Sequence, residues 1–144
     1  MLDRERVLVK LDALHGYGRE LLVVLPGSLD EYMASVEKRR ATERLLQMSI
    51  ECVLDICGLF VAGLRLGLPA EEENLLDRLE HARVFPLELI GTLRAMRRFR
   101  NILVHEYGAV DDKIVFQLAG RLPHDVAAFT DTVKGALSRC QGNI

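Results

Sequence analysis

Between Arg98 and Tyr107 the chain reads RFRNILVHEY, which sets Arg100, Asn101, His105 and Tyr107 among apolar residues. A buried segment avoids polar groups at such density, because each one removed from water must find a partner. The face is therefore solvated, or it does work. Arg100 supplies a permanent cation whose planar fork of donors suits a phosphate. His105 carries a side chain whose unperturbed pKa lets it both take and give a proton near neutrality. Together they suffice to cut RNA without a metal: His105 removes the 2′-hydroxyl proton, the oxygen attacks the adjacent phosphorus, and Arg100 stabilises the charge of the phosphorane-like transition state. Asn101 would orient His105 or bind a phosphate oxygen, and Tyr107 would stack on a base or hold Arg100. Alone, Arg-x4-His is a weak pattern, since the dipole of a helix C-terminus favours both cations there.

The elements that must position these groups read as helices throughout. Leu8, Leu11, Leu14, Leu21, Leu22 and Leu25 recur near helical spacing, which predicts a first helix from about Asp3 to Leu25, ended by Pro26-Gly27. Ser28 followed by Glu31 is a capping-box start for a second helix, which the pattern carries to Leu66 before Gly67 and Pro69 stop it. Pro69 and the acids Glu71 to Glu73 open a short third helix, and Pro86 opens a fourth that ends in the motif. After GAVDD, a turn and cap, helical sequence resumes from Lys113 to about Arg139, with Pro123 expected to bend or split it. The fold class is all-α: one domain over residues 1–144, an antiparallel bundle of four to five helices.

If the fourth helix runs to Tyr107, Arg100 and Tyr107 fall within about 20° of each other and Asn101 and His105 form an i, i+4 pair. Arg100 and His105 then diverge by about 140° and would not converge on one small group. Either the helix loosens near His105, or two copies of the chain share the site across a two-fold axis. A homodimer solves the geometry, with the second His105 protonating the leaving 5′-oxygen.

A net charge of −2 predicts no bulk attraction to nucleic acid, so RNA binding needs a local basic patch. Arg94, Arg97 and Arg98 beside the motif are the candidates, against the plainer reading of an exposed helix face. Three cysteines, Cys52, Cys57 and Cys140, have no zinc-type spacing, which suits a reducing compartment and a cytoplasmic location. The N-terminus has no secretory pattern, and the most apolar stretch, Leu45 to Leu66, is interrupted by Gln47, Glu51, Asp55 and Arg65, so no membrane span is expected. His15, His81 and His124 are scattered, so neither a metal site nor a cofactor is expected. Glu43, Gln47, Glu51 and Asp55 recur every four residues; a solvated face is the simplest account, and the sharper one has Glu51 or Asp55 reach the arginines or the cleft.

The stretch MRRFRNILVHEYGAVD, Met96 to Asp111, resembles the signature of the HepT-like family of the HEPN superfamily, R-x4-H-x-Y, with Arg100, His105 and Tyr107 at the motif positions and Asn101, Val110 and Asp111 also matching. RRATERLLQMSIECVLDI, Arg39 to Ile56, is similar to the family's long second helix, and FPLELIGTLRAM to its approach to the motif. The resemblance implies a toxin of a toxin–antitoxin pair: a metal-independent ribonuclease, homodimeric, with both motifs at the subunit cleft. It implies a minimal nucleotidyltransferase as antitoxin partner, which silences the toxin by transferring AMP to the motif tyrosine, here Tyr107. An alternative of another class keeps the same bundle as a non-catalytic nucleotide- or partner-binding subunit.

Overall fold

The structure, a computed structural model, describes residues 1–68 and 72–141. Within them lie six α-helices: α1 (Arg4–Val24), α2 (Leu29–Ala34), α3 (Val36–Gly63), α4 (Glu72–His81), α5 (Leu87–His105) and α6 (Asp112–Gln141), with a 3₁₀ turn at Tyr107–Ala109. α3 is the spine of the bundle and packs against each of the other five helices. The all-α bundle expected from the sequence is present, with one more helix than the upper count.

The extra helix comes from a break at Ser35. A single helix from Ser28 to Leu66 was the expectation; instead Ser35 is extended (φ −122°, ψ 107°) and its hydroxyl accepts from the Lys38 amide at 3.2 Å, capping α3. Serine competes for backbone donors in this way wherever a turn is useful. What makes it useful is Tyr32 on α2, fully buried with its ring 5.4 Å from that of Phe116 on α6, a docking that a straight continuation of α3 would not provide. Ser28 caps α2 as expected, accepting from the Glu31 amide at 3.2 Å.

α3 ends earlier than Gly67 would suggest. Arg65 takes a left-handed conformation (φ 56°), and the amides of Leu66 and Arg65 close on the carbonyls of Val61 and Ala62 at 2.8 and 3.2 Å, the Schellman pattern. Arg83 (φ 56°) closes α4 the same way, with Val84 and Arg83 on Leu79 and Glu80, both at 3.0 Å. Gly67 (φ 144°) serves instead as a close-approach point, since a Cβ there would meet the Arg78 guanidinium at 2.0 Å. Pro69 and Glu71, the expected opening of the third helix, lie outside the described residues.

Pro123 does not split the last element; α6 runs through it for 30 residues. An interior proline costs about 3 kcal/mol. Leu122, Val126, Phe129 and Val133 flank it on the buried face and outweigh that cost, each fully buried apolar side chain being worth about 1.5–3 kcal/mol. Phe60 of α3 packs on Phe85 (5.4 Å between ring centroids) and Phe85 on Phe129 (6.0 Å), tying α3, the turn before α5 and α6 together. Cys52 and Cys57 are buried in this core, burial pushing the Cys57 thiol up to about 12. By length and composition α3 is the one helix among the described residues that could cross a membrane, and most of its apolar stretch is covered by the bundle.

Candidate active site

α5 carries Leu89, Ile90, Leu93, Met96 and Leu103 into the core, which turns Arg97, Arg100 and Asn101 toward the N-terminus of α4. The helix ends at His105, because Glu106 leaves helical geometry (φ −132°, ψ 47°) and its amide closes on the Ile102 carbonyl. Arg97, Arg100, Asn101 and His105 line one cleft of about 620 Å³ with Glu72, Glu73 and Asn74. Arg100 and His105 thus border one cleft within a single chain, although α5 stays helical through His105.

The cleft's cations are held by acid. One carboxylate oxygen of Glu72, Oε1, accepts from Arg97 Nε at 3.4 Å and from Arg100 Nη2. Arg100 is well covered, its side chain 14% exposed, whereas Glu72 is 39% exposed. Arg100 Nε also donates to Asn101 Oδ1 at 3.0 Å, so Asn101 is engaged with its neighbour and not with His105. Together these contacts fix the Arg100 fork in a geometry that already satisfies an anion's oxygen. His105 is exposed at the cleft's edge.

Tyr107 does not join them. Since the helix has ended, Tyr107 leaves the Arg100 stripe on which a continuous helix would set it, and reaches back to α3. Its Oη donates to Glu43 Oε2 at 2.7 Å, and its ring lies under the Arg40 guanidinium, 5.5 Å from centroid to carbon. The hydrogen bond to Glu43 is the main cause that raises the Tyr107 pKa above the ordinary phenol value, with desolvation second. The ring remains half exposed.

The remaining candidates separate by partner. Arg94 is bound on the surface, to Asp77 at 2.6 Å and to Glu80. Arg98 is exposed and makes no ion pair among the described residues. Asp55 does not reach the arginines: it pairs with Lys10 at 2.9 Å, while Glu51 accepts from Gln47 at 3.1 Å. His15 is tied to Thr130 Oγ1 at 2.9 Å and neither it, His81 nor His124 lines the cleft.

Two acids escaped the sequence reading. Glu43 was placed on a solvated stripe, yet it is 6% exposed. Its phase held the signal: Glu43, Leu46, Ile50, Val53, Cys57 and Phe60 follow one another at steps of three and four, and all are buried. Glu72 was read as a helix-dipole acid, and nothing local announces its pairing with Arg100, 28 residues away.

Comparison with known proteins agrees with this architecture. A family profile described as ribonuclease HepT-like matches residues 17–133. The tRNA nuclease HepT of Aphanizomenon flos-aquae (strain 2012/KM1/D3) is 33% identical over 89 residues, which is 62% of this chain and 60% of that protein. Three solved structures share the fold at low identity. A Shewanella oneidensis HEPN toxin, tri-AMPylated and in complex with MNT antitoxin, is 21% identical with a TM-score of 0.81 over 90% of this chain and 96% of that one. A toxin–antitoxin crystal structure with AMP-PNP is 20% identical with a TM-score of 0.80 over 88% and 96%, respectively. Bacillus subtilis YutE, a cytosolic protein of unknown function, is 19% identical with a TM-score of 0.79 over 99% and 96%. With the profile covering the bundle from α1 into α6, and R-x4-H-x-Y in place at Arg100, His105 and Tyr107, the chain belongs to the HepT-like family.

Proposed function

We propose that this chain is a ribonuclease toxin that cuts RNA without a metal ion, acts as a homodimer, and is silenced by a minimal nucleotidyltransferase antitoxin that transfers AMP to Tyr107. The observation that carries the reading is the cleft in which Arg100 and His105, two groups sufficient for transesterification, stand together with Arg97 beside them. His105 takes the 2′-hydroxyl proton, the 2′-oxygen bonds to phosphorus, and the bond to the 5′-oxygen breaks. Arg100 stabilises the charge that builds on the phosphate oxygens. The second protomer's His105 returns a proton to the 5′-oxygen, which is why the reading includes a dimer. Arg97 and Arg98 extend the positive edge along the RNA backbone. The similarity to a protein named tRNA nuclease HepT makes tRNA the first substrate to try, and the similarity to toxin–antitoxin structures, one of them an AMPylated toxin with its antitoxin, supports the partner and the modification.

The test is cleavage of total RNA and of purified tRNA by the unmodified protein in the presence of EDTA, beside Arg100→Ala and His105→Ala. Cleavage by the parent that both variants lose is the expected result. Intact RNA throughout, from protein shown by mass to carry no AMP, would reject the nuclease and leave the same bundle as a non-catalytic binding subunit of a nucleotidyltransferase complex.

A further inference from the structure

Glu43 is an unusual carboxylate. It sits on the buried face of α3, 6% exposed, in phase with Leu46 and Ile50. Burying a carboxylate is costly unless its oxygens are matched by donors. Here each oxygen has one: Oε1 takes Arg40 Nη1 at 2.8 Å, and Oε2 takes the Tyr107 hydroxyl at 2.7 Å. Arg40 also covers the tyrosine ring, at 5.5 Å from its centroid. A half-exposed hydroxyl, a buried acceptor in hydrogen-bond contact with it, and a cation orienting that acceptor form the arrangement by which a weak nucleophile is activated.

Resting on the reading of Tyr107 as the modified residue, we propose that Glu43 is the catalytic proton acceptor for that modification, in which the tyrosine takes a nucleotidyl group from a nucleoside triphosphate. The Tyr107 oxygen forms a bond to the α-phosphorus, the bond from that phosphorus to pyrophosphate breaks with its electron pair leaving on pyrophosphate, and the phenolic proton passes to Glu43 Oε2 and then to water. Arg40 holds the carboxylate in line through its bond to Oε1. The step also ends the contact that enabled it: the modified oxygen has no proton to donate, and it now carries an anion beside a carboxylate. Tyr107 therefore cannot remain docked on α3 once modified, and the group it carries is released from the Glu43 side.

A merely structural Glu43 would anchor the turn after His105 and nothing more. Glu43→Gln separates the two roles, because the amide can still hydrogen-bond the Tyr107 hydroxyl but cannot take its proton, and a neutral amide is easier to bury than a carboxylate. The parent, Glu43→Gln, Glu43→Asp and Tyr107→Phe are incubated with the cognate nucleotidyltransferase and magnesium ATP, and AMP addition is followed by intact mass, with thermal melting to verify the fold. The expected result is that the parent is modified, Tyr107→Phe is not, Glu43→Gln is slowed by about 100-fold or more with its KM for ATP unchanged, and Glu43→Asp falls between. Modification of folded Glu43→Gln at near the parental rate would overturn the proposal while leaving Tyr107 as the acceptor. A parent that gains no AMP, or Tyr107→Phe modified as fast as the parent, would instead reject the tyrosine reading and the proposal with it.

Discussion

Glu72 meets the two cleft arginines with a single oxygen. Its Oε1 bridges Arg97 Nε, at 3.4 Å, and Arg100 Nη2, so on the proposed reading an RNA phosphate would compete with a carboxylate for both cations. Replacing Glu72 by glutamine removes the competing charge and keeps the side chain's size. Glu72 is 39% exposed, and ion pairs at that level of solvation are worth about 0.2–1 kcal/mol each. Two such pairs amount to roughly 0.4–2 kcal/mol, and their sharing of one oxygen keeps the sum toward the lower end. Freed arginines should therefore bind a phosphodiester about 2- to 30-fold more tightly. The control is Glu73→Gln, which lines the same cleft and changes net charge equally but touches no arginine among the described residues. The assay is equilibrium binding of an oligonucleotide lacking 2′-hydroxyls, so that nothing is cut, at two salt concentrations. Glu72→Gln should exceed Glu73→Gln in affinity and steepen the salt dependence by about one phosphate contact. Equal or weaker binding than the control would refute competition and make Glu72 a positioning residue for Arg100.

Three substitutions test the scaffold. The Tyr32 hydroxyl is buried without a hydrogen-bond partner among the described residues, and a buried unpartnered hydroxyl costs about 1–3 kcal/mol, so Tyr32→Phe should melt at or above the parental temperature; a clear fall would show that the hydroxyl is satisfied. Burial, then the charge of Glu43, raises the Tyr32 pKa above its reference of 10.0, so the native state binds that proton more tightly than the unfolded chain: its contribution is complete below pH 10.0 and is lost as pH rises beyond it, and Tyr32→Phe should lose less stability than the parent in that alkaline window. Gly63→Ala would place its Cβ 2.5 Å from the Leu2 Cα, an overpacking cost of about 1–3 kcal/mol that calorimetry should register, whereas a chain begun at Asp3 should tolerate it. Arg83→Gly should leave the cap of α4 intact and raise the melting temperature, since a left-handed conformation costs a non-glycine residue about 1–2 kcal/mol; a fall would mean that the arginine side chain contributes more than its backbone loses.

The parts of this molecule legible in the sequence are those written in local chemistry. Ser28 caps α2, Asp111 caps α6 by accepting from the Lys113 amide at 2.9 Å, and the apolar phase of α3 marks it as the spine. Arg100 and His105 were read as a pair from their complementary chemistry, and both line one cleft although a regular helix sets them apart. Three features were not. The break at Ser35 depends on Tyr32 docking against Phe116, 84 positions further along. The pairing of Glu72 with Arg100 depends on how α4 meets α5. The burial of Glu43 was visible in its phase with Leu46 and Ile50, but a charged residue reads as solvated until a partner such as Tyr107 is known.

That partner is also what divides the motif. Because α5 stops at His105, Arg100 and His105 open on the cleft with Glu72, while Tyr107, two residues later, turns to Glu43 on α3. On the proposed reading, cleavage and its control would fall on two faces of one helix terminus. For a nucleotide carried by Tyr107 to obstruct Arg100, the ring must leave α3, giving up one hydrogen bond to a charged acceptor worth about 1.5–3 kcal/mol and a cation–π contact worth about 0.5–1 kcal/mol at an exposed site. That is roughly 2–4 kcal/mol, and transfer itself removes the larger part of it by consuming the proton that Glu43 accepts. A charge-assisted contact between the new phosphate and the Arg100 fork is worth about 1.5–3 kcal/mol, enough to cover the remaining cation–π contact and the displaced Glu72 pair, about 0.2–1 kcal/mol. The unmodified tyrosine has no such gain and stays on α3, which on the proposed reading leaves the cleft open to RNA.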